Sequence, residues 1–104
     1  MAALNLRFSK RAERQLGDIL GFIALDNPEA AAGVAEQVEN CLELLLAFPE
    51  MGRLAFPNLP HRLVTSYPCR IYYHQRGRVL WVVAVLRVEQ LLRPERLARP
   101  KEPD

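Results

Sequence analysis

The stretch RLVTSYPCRIYYHQRGRVLWVVAVLRV, residues 62–88, decides the fold. Three runs rich in β-branched and aromatic residues, Arg62–Tyr67, Arg70–Gln75 and Val79–Val88, are separated by Pro68 and by Arg76-Gly77-Arg78. Breaks that short join neighbouring strands, so the stretch reads as an antiparallel meander. The last run is apolar at almost every position. A sheet with one wet face should alternate apolar and polar residues, so this run raises the question of what covers the second face.

Working outward, Leu4-Asn5-Leu6-Arg7-Phe8 alternates and predicts a short strand. Ser9 follows as a helix N-cap, and the helix runs to about Leu25 with Ala12, Leu16, Ile19, Leu20 and Ile23 on one stripe. Asp26-Asn27-Pro28 interrupts it. Asn27 suits a second N-cap, Pro28 the first helical position, and Glu29 complements the helix dipole. The second helix runs to about Phe48, with Ala31, Val34, Val38, Cys41, Leu45 and Phe48 inward and Glu36, Glu39, Asn40 and Glu43 outward. So short a turn makes the helices antiparallel neighbours. Pro49 to His61 holds Pro49, Pro57 and Pro60 and reads as a loop without regular structure. The order β-α-α-β-β-β predicts an α+β domain over residues 1–88, an antiparallel sheet with a two-helix hairpin packed on one face. A C-terminal tail, residues 89–104, has room for one short helix.

At 104 residues one domain is expected. A formal net charge of +2 suits an acidic partner without requiring nucleic acid. Cys41 and Cys69 sit among apolar residues and read as reduced thiols. No apolar leader and no run of membrane-spanning length is present, which predicts a cytoplasmic protein without membrane contact. Neither metal-ligand spacing nor a Ser/His/Asp set is visible. No catalytic residue, metal or cofactor is therefore assigned, and His61 and His74 read as surface histidines.

Strand parity sorts the side chains. Ile71, Leu80, Val82, Ala84 and Leu86 go to the helix-covered side, and Arg70, Tyr72, Trp81, Val83, Val85 and Arg87 to the other. An apolar face rimmed by arginines has the composition of a protein interface. Either the tail folds over it through Leu91, Leu92 and Leu97, or a partner segment docks there. On the first helix Lys10, Arg14, Gly17 and Gly21 lie away from the apolar stripe. Each helical glycine costs about 1 kcal/mol relative to alanine, and the pair admits close approach by the second helix or by a partner. Lys10, Arg11 and Arg14 crowd the positive end of the helix dipole, which an acidic partner relieves.

The segments FSKRAERQLGDILGFIALDNPEAA, LLLAFPEMGR and CRIYY…RVLWVVAVLRV, spaced over residues 4–88, resemble the ParE-like toxins of toxin–antitoxin operons, within the wider RelE/ParE superfamily. The Asn27-Pro28-Glu29-Ala30-Ala31 turn and the Phe48–Arg53 break carry most of the likeness. The resemblance implies a toxin that poisons DNA gyrase by binding. It also implies a hetero-oligomeric complex with a ParD-like antitoxin, which has a DNA-binding N-terminal part and an acidic C-terminal segment. The RelE-like branch instead cleaves mRNA on the ribosome, and a relic that only binds antitoxin is a third reading. RNA cleavage needs a base, an acid and cations for the phosphorane. Arg70 matches the arginine that follows the turn in both branches. The ending Arg87-Val88-Glu89-Gln90 lacks the RelE-like tyrosine, and Glu89 would repel a phosphodiester. It also lacks the His-x-Arg-Arg-like ending of ParE-like members. Antitoxin contacts are therefore expected at Lys10, Arg14, Gly17, Gly21, Arg70, Tyr72, Trp81, Val83, Val85 and Arg87. Candidate gyrase contacts are Arg62, Arg87, Arg93 and Arg96.

Overall fold

The computed structural model describes residues 4–90, so Arg93, Arg96 and the expected tail helix lie outside the described residues. Strand β1 (Asn5–Phe8) leads into α1 (Lys10–Asp26) and α2 (Pro28–Ala47), and β2 (Arg53–Leu54), β3 (Arg62–Ser66), β4 (Cys69–Arg76) and β5 (Val79–Arg87) follow. The sheet order is β1-β5-β4-β3-β2. The meander is antiparallel as expected, but β1 joins β5 in parallel, making the sheet mixed. The helical hairpin is the crossover that lets β1 and β5 run the same way.

Both helices start where the caps place them. The Ser9 hydroxyl accepts from Ala12 N at 2.9 Å, and Asn27 Oδ1 accepts from Ala30 N at 3.0 Å. Ala12, Ile19, Val38, Leu42 and Leu45 bury against Ile71, Tyr73, Leu80, Val82 and Val85, with Leu6 and Phe8 of β1 closing the side. Phe48 departs from its expected inward place. It caps α2 outside helical geometry and is 61% exposed. Cys41 and Cys69 are free, and burial pushes both thiols up, so they stay protonated and unreactive.

The segment expected to lack regular structure contains β2, which pairs with β3 through Arg53↔Leu63 and Leu54↔Arg62. The turn before it is braced from across the sheet. The Tyr73 hydroxyl donates to Pro49 O at 2.8 Å and accepts from Gly52 N at 3.0 Å. Arg62 donates to Gly52 O at 2.6 Å and Glu50 O at 3.3 Å. Arg62, expected as a gyrase contact, is thus engaged in holding this turn.

Candidate functional site

The feature that shapes the surface is a bulge in β5. Trp81 pairs with His74 and Val82 with Tyr73, but Tyr72 pairs with Ala84, so Val83 has no partner on β4. One extra residue inverts every side chain beyond it. Leu80 and Val82 face the helices, and after the bulge Val85 does, while Ala84 and Leu86 join Leu63 and Tyr72 on the open face. This corrects the parity reading at four positions. Ala84 and Leu86 leave the helix side, and Val85 and Arg87 enter it.

Residues at the start of α1 hold the bulge. Ser9 N donates to Val82 O at 2.9 Å, and the Ser9 hydroxyl and Arg11 Nε both donate to Val83 O, at 3.1 and 3.3 Å. Val85 N donates to the Gln15 side chain at 2.9 Å. Ser9 therefore caps α1 and docks it on the bulge at once. Ser9→Ala should cost about 2 kcal/mol, the upper end for an N-cap, because a buried carbonyl also loses a donor; urea denaturation measures it.

β1 accompanies β5 only from Val79 to Val82. Beyond that no strand among the described residues lies beside the β5 edge, and two glutamine side chains take its N–H groups, Gln15 at Val85 and Gln90 at Arg87, each at 2.9 Å. Gln15, Asp18, Ile19 and Phe22 of α1 face Val85, Leu86, Arg87 and Gln90 across a cleft of about 280 Å³. The Arg87 guanidinium sits 5.0 Å from the centroid of the Phe22 ring, and its Nε is 3.2 Å from Glu89 Oε2. Phe22 is 61% exposed and Leu25, one turn on, 85%. The cleft thus has an aromatic wall, a guanidinium and an open strand edge.

On the opposite face of the sheet, Phe56 stacks on Tyr72, with centroids 6.3 Å apart and planes at 14°. With Ala55 it covers Leu63, Ala84 and Leu86. The chain's own Ala55–Pro60 segment therefore shields the part of the face that the sequence reading offered to a partner.

Comparison with known proteins fits this architecture. The model of the ParE toxin of the type II toxin–antitoxin system parDE matches residues 6–92. The chain belongs to the ParE toxin family. It is 27% identical over 90 residues to the protein Y4kP of Sinorhizobium fredii, covering 86% of this chain and 94% of that one. A solved chain of the chromosomal ParDE toxin–antitoxin system from P. aeruginosa shares the fold. It has a TM-score of 0.66 and 21% identity, over 82% of this chain and 96% of that one.

The surface of this ParE-family chain divides the ten expected antitoxin contacts among three places. Lys10, Arg14, Gly17 and Gly21 are exposed on the outer side of α1, and a Cβ at either glycine would meet nothing within 4 Å. That removes close packing against α2 as the reason for the glycines. Val85 and Arg87 line the cleft. Arg70, Tyr72, Trp81 and Val83 belong to the open face, where Tyr72 is only 4% exposed beneath Phe56. Sequence reasoning missed Gln15, Phe22 and Phe56. Phe22 alone carried a signal, a large apolar residue beside the inward stripe of its helix.

Among the described residues no strand contains an aspartate or glutamate, whereas Arg7, Arg53, Arg62, Arg70, Arg76 and Arg87 all lie in strands. Among the described residues the acidic side chains sit on the helices, apart from Glu50 and Glu89 in turns, with Glu29, Glu36, Glu39 and Glu43 on α2. The sheet side therefore attracts acidic partners. His61 is not the surface group the sequence predicts. His61 is 8% exposed with its Nδ1 unpartnered, and its ring centroid lies 4.7 Å from that of half-buried His74. Burial, then the neighbouring His74, pushes His61 down to about 4; burial, then Arg76, lowers His74. Both are neutral at pH 7, and His61 is shut away from any substrate. Among the described residues no three His, Cys, Asp or Glu side chains group as metal ligands, and no helix is long and apolar enough to cross a membrane.

Proposed function

We propose that this ParE-family toxin acts by binding, that its target is DNA gyrase, and that a cognate antitoxin restrains it through an acidic C-terminal segment laid along the α1–β5 cleft. The observation that carries this reading is the Val83 bulge. It turns Arg87 away from the open face, where phosphodiester chemistry would need cations, and toward Phe22 and Glu89. The same bulge leaves the β5 edge to two glutamine side chains, which an extended segment can replace with a strand's own hydrogen bonds. A mRNA-cleaving role is disfavoured because His61 is buried against His74, which leaves the open face, among the described residues, without an accessible histidine pair for acid–base work. Cytoplasmic action follows from both partners.

The test is supercoiling by purified gyrase with the purified protein added. Inhibition at micromolar concentration, relieved by stoichiometric antitoxin, is expected. Unimpaired supercoiling together with growth arrest on expression would remove gyrase as the target. Cleavage of ribosome-bound mRNA would move the protein to the endonuclease branch.

A further inference from the structure

A second functional element lies on the face away from the cleft, where Ala55–Pro60 covers an apolar patch. The segment is anchored at two points. At its start Phe56 lies on Tyr72, and at its end His61 packs against His74 while His61 O accepts from Ala55 N at 2.9 Å. The register Arg62↔Tyr73 places His61 directly across from His74, and His74 pairs in turn with Trp81 on β5. The two imidazoles are thus a cross-strand pair, one of them nearly wholly buried with a ring nitrogen that no group among the described residues satisfies. Unsatisfied buried nitrogens are rare in native proteins and ask for a reason.

The groups around the pair decide what that reason is. Arg53 pairs with Leu63 on this face, Arg70 and Arg76 share it with His74 along β4, and Arg7 of β1 lies beyond Trp81. The covering segment brings no charged side chain, and neither do β3 or β5 on this face. Among the described residues every charge facing the pair is positive, which disfavours a bound metal ion and equally disfavours a proton.

We propose that Ala55–Pro60 is an acid-released strap, closed over the open face while His61 and His74 are both neutral and lifted when the pair takes up protons. Closure buries Tyr72, Leu63, Ala84 and Leu86, and release presents them as an apolar surface rimmed by Arg53 and Arg70. The direction follows from linkage. A histidine held below its free value of 6.5 contributes stability that is complete above pH 6.5 and is lost as the pH falls toward about 4. Opening the strap lets His61 reach water without unfolding α1 and α2, so the loss is local.

Hydrogen exchange of the full chain, corrected for intrinsic rates, tests this, with the Ala55 amide and the emission of the single tryptophan, Trp81, as reporters. Between pH 6.5 and pH 4, protection at Ala55 should fall about tenfold and Trp81 emission should change, while α1 and α2 keep their protection. His61→Phe keeps a ring in the site and should hold the strap closed through the same range. Should that variant fail to fold, His74→Gln should make the transition shallower, because one proton is taken up in place of two. Identical pH profiles in the wild type and the folded variant would overturn the proposal, and so would loss of Ala55 protection only when the helices lose theirs.

Discussion

Gly52→Ala is expected to lower the thermal midpoint by more than about 10 °C, the shift that about 2–4 kcal/mol produces in a domain of this size. The space for a methyl group does not exist. A Cβ there would lie 2.6 Å from the Tyr73 hydroxyl oxygen and 2.9 Å from Leu63 O. The carbonyl belongs to β3 and cannot move without breaking strand pairing. The hydroxyl can move only by leaving Gly52 N and Pro49 O, both its partners in the turn. Leaving a buried donor unpaired costs about 1–3 kcal/mol, and overpacking adds about as much. A double-mutant cycle separates the parts. In a Tyr73→Phe background one of the two obstructions is gone, so adding Gly52→Ala should cost clearly less than it does in the wild type. A midpoint within about 2 °C of the wild type, where exposed surface substitutions fall, would show that the turn shifts freely to admit the methyl.

That turn also shows what the sequence could and could not reveal. Phe48-Pro49-Glu50-Met51-Gly52-Arg53 was readable as the end of a helix and as a mark of the family. The cause of its glycine lies 21 residues away at Tyr73, which no local pattern reports. Both helices, their caps and the three long strands were legible because each rests on local chemistry: Ser9 and Asn27 as caps, Pro28 at the first helical position, apolar residues at regular spacing. The two-residue strand β2 was not, since a pair of residues has no period. The bulge left a trace in Val82-Val83-Ala84-Val85-Leu86, apolar without interruption, because each face receives apolar residues on its own side of the break. That run was legible as a surplus needing cover. It did not reveal which residues turn inward, and so Arg87 and Val85 were sorted to the wrong face. The strap was hidden for another reason. Phe56 is one aromatic residue among prolines, and only the fold brings it onto Tyr72.

Arg87→Glu is expected to weaken antitoxin binding by about 100-fold while leaving the fold intact, because a charge reversed at an interface meets repulsion as well as losing attraction. In the free toxin Arg87 is partly exposed, with 38% of its side chain accessible, and its contacts are to Glu89 and to the exposed ring of Phe22. Removing it should therefore change the melting temperature little. In the proposed complex the same position stands at the open end of the β5 edge, beside Asp18, and an acidic segment laid along Val85–Arg87 would pass it. A glutamate there joins Glu89 and Asp18 in opposing that segment. Phe22→Ala removes the aromatic wall without changing charge and should cost about tenfold, a value ordinary for an anchor at the edge of an interface. Arg70→Ala and Trp81→Ala probe the opposite face of the sheet. If the segment continues around β5, they weaken binding by less than Arg87→Glu does, and their effects add to it, since the two sites share no partner. The converse result, full affinity in Arg87→Glu and loss in Arg70→Ala and Trp81→Ala, would place the antitoxin on the open face instead. There it would have to displace Phe56 from Tyr72, and affinity would then rise in Phe56→Ala, in which the strap no longer competes for the site.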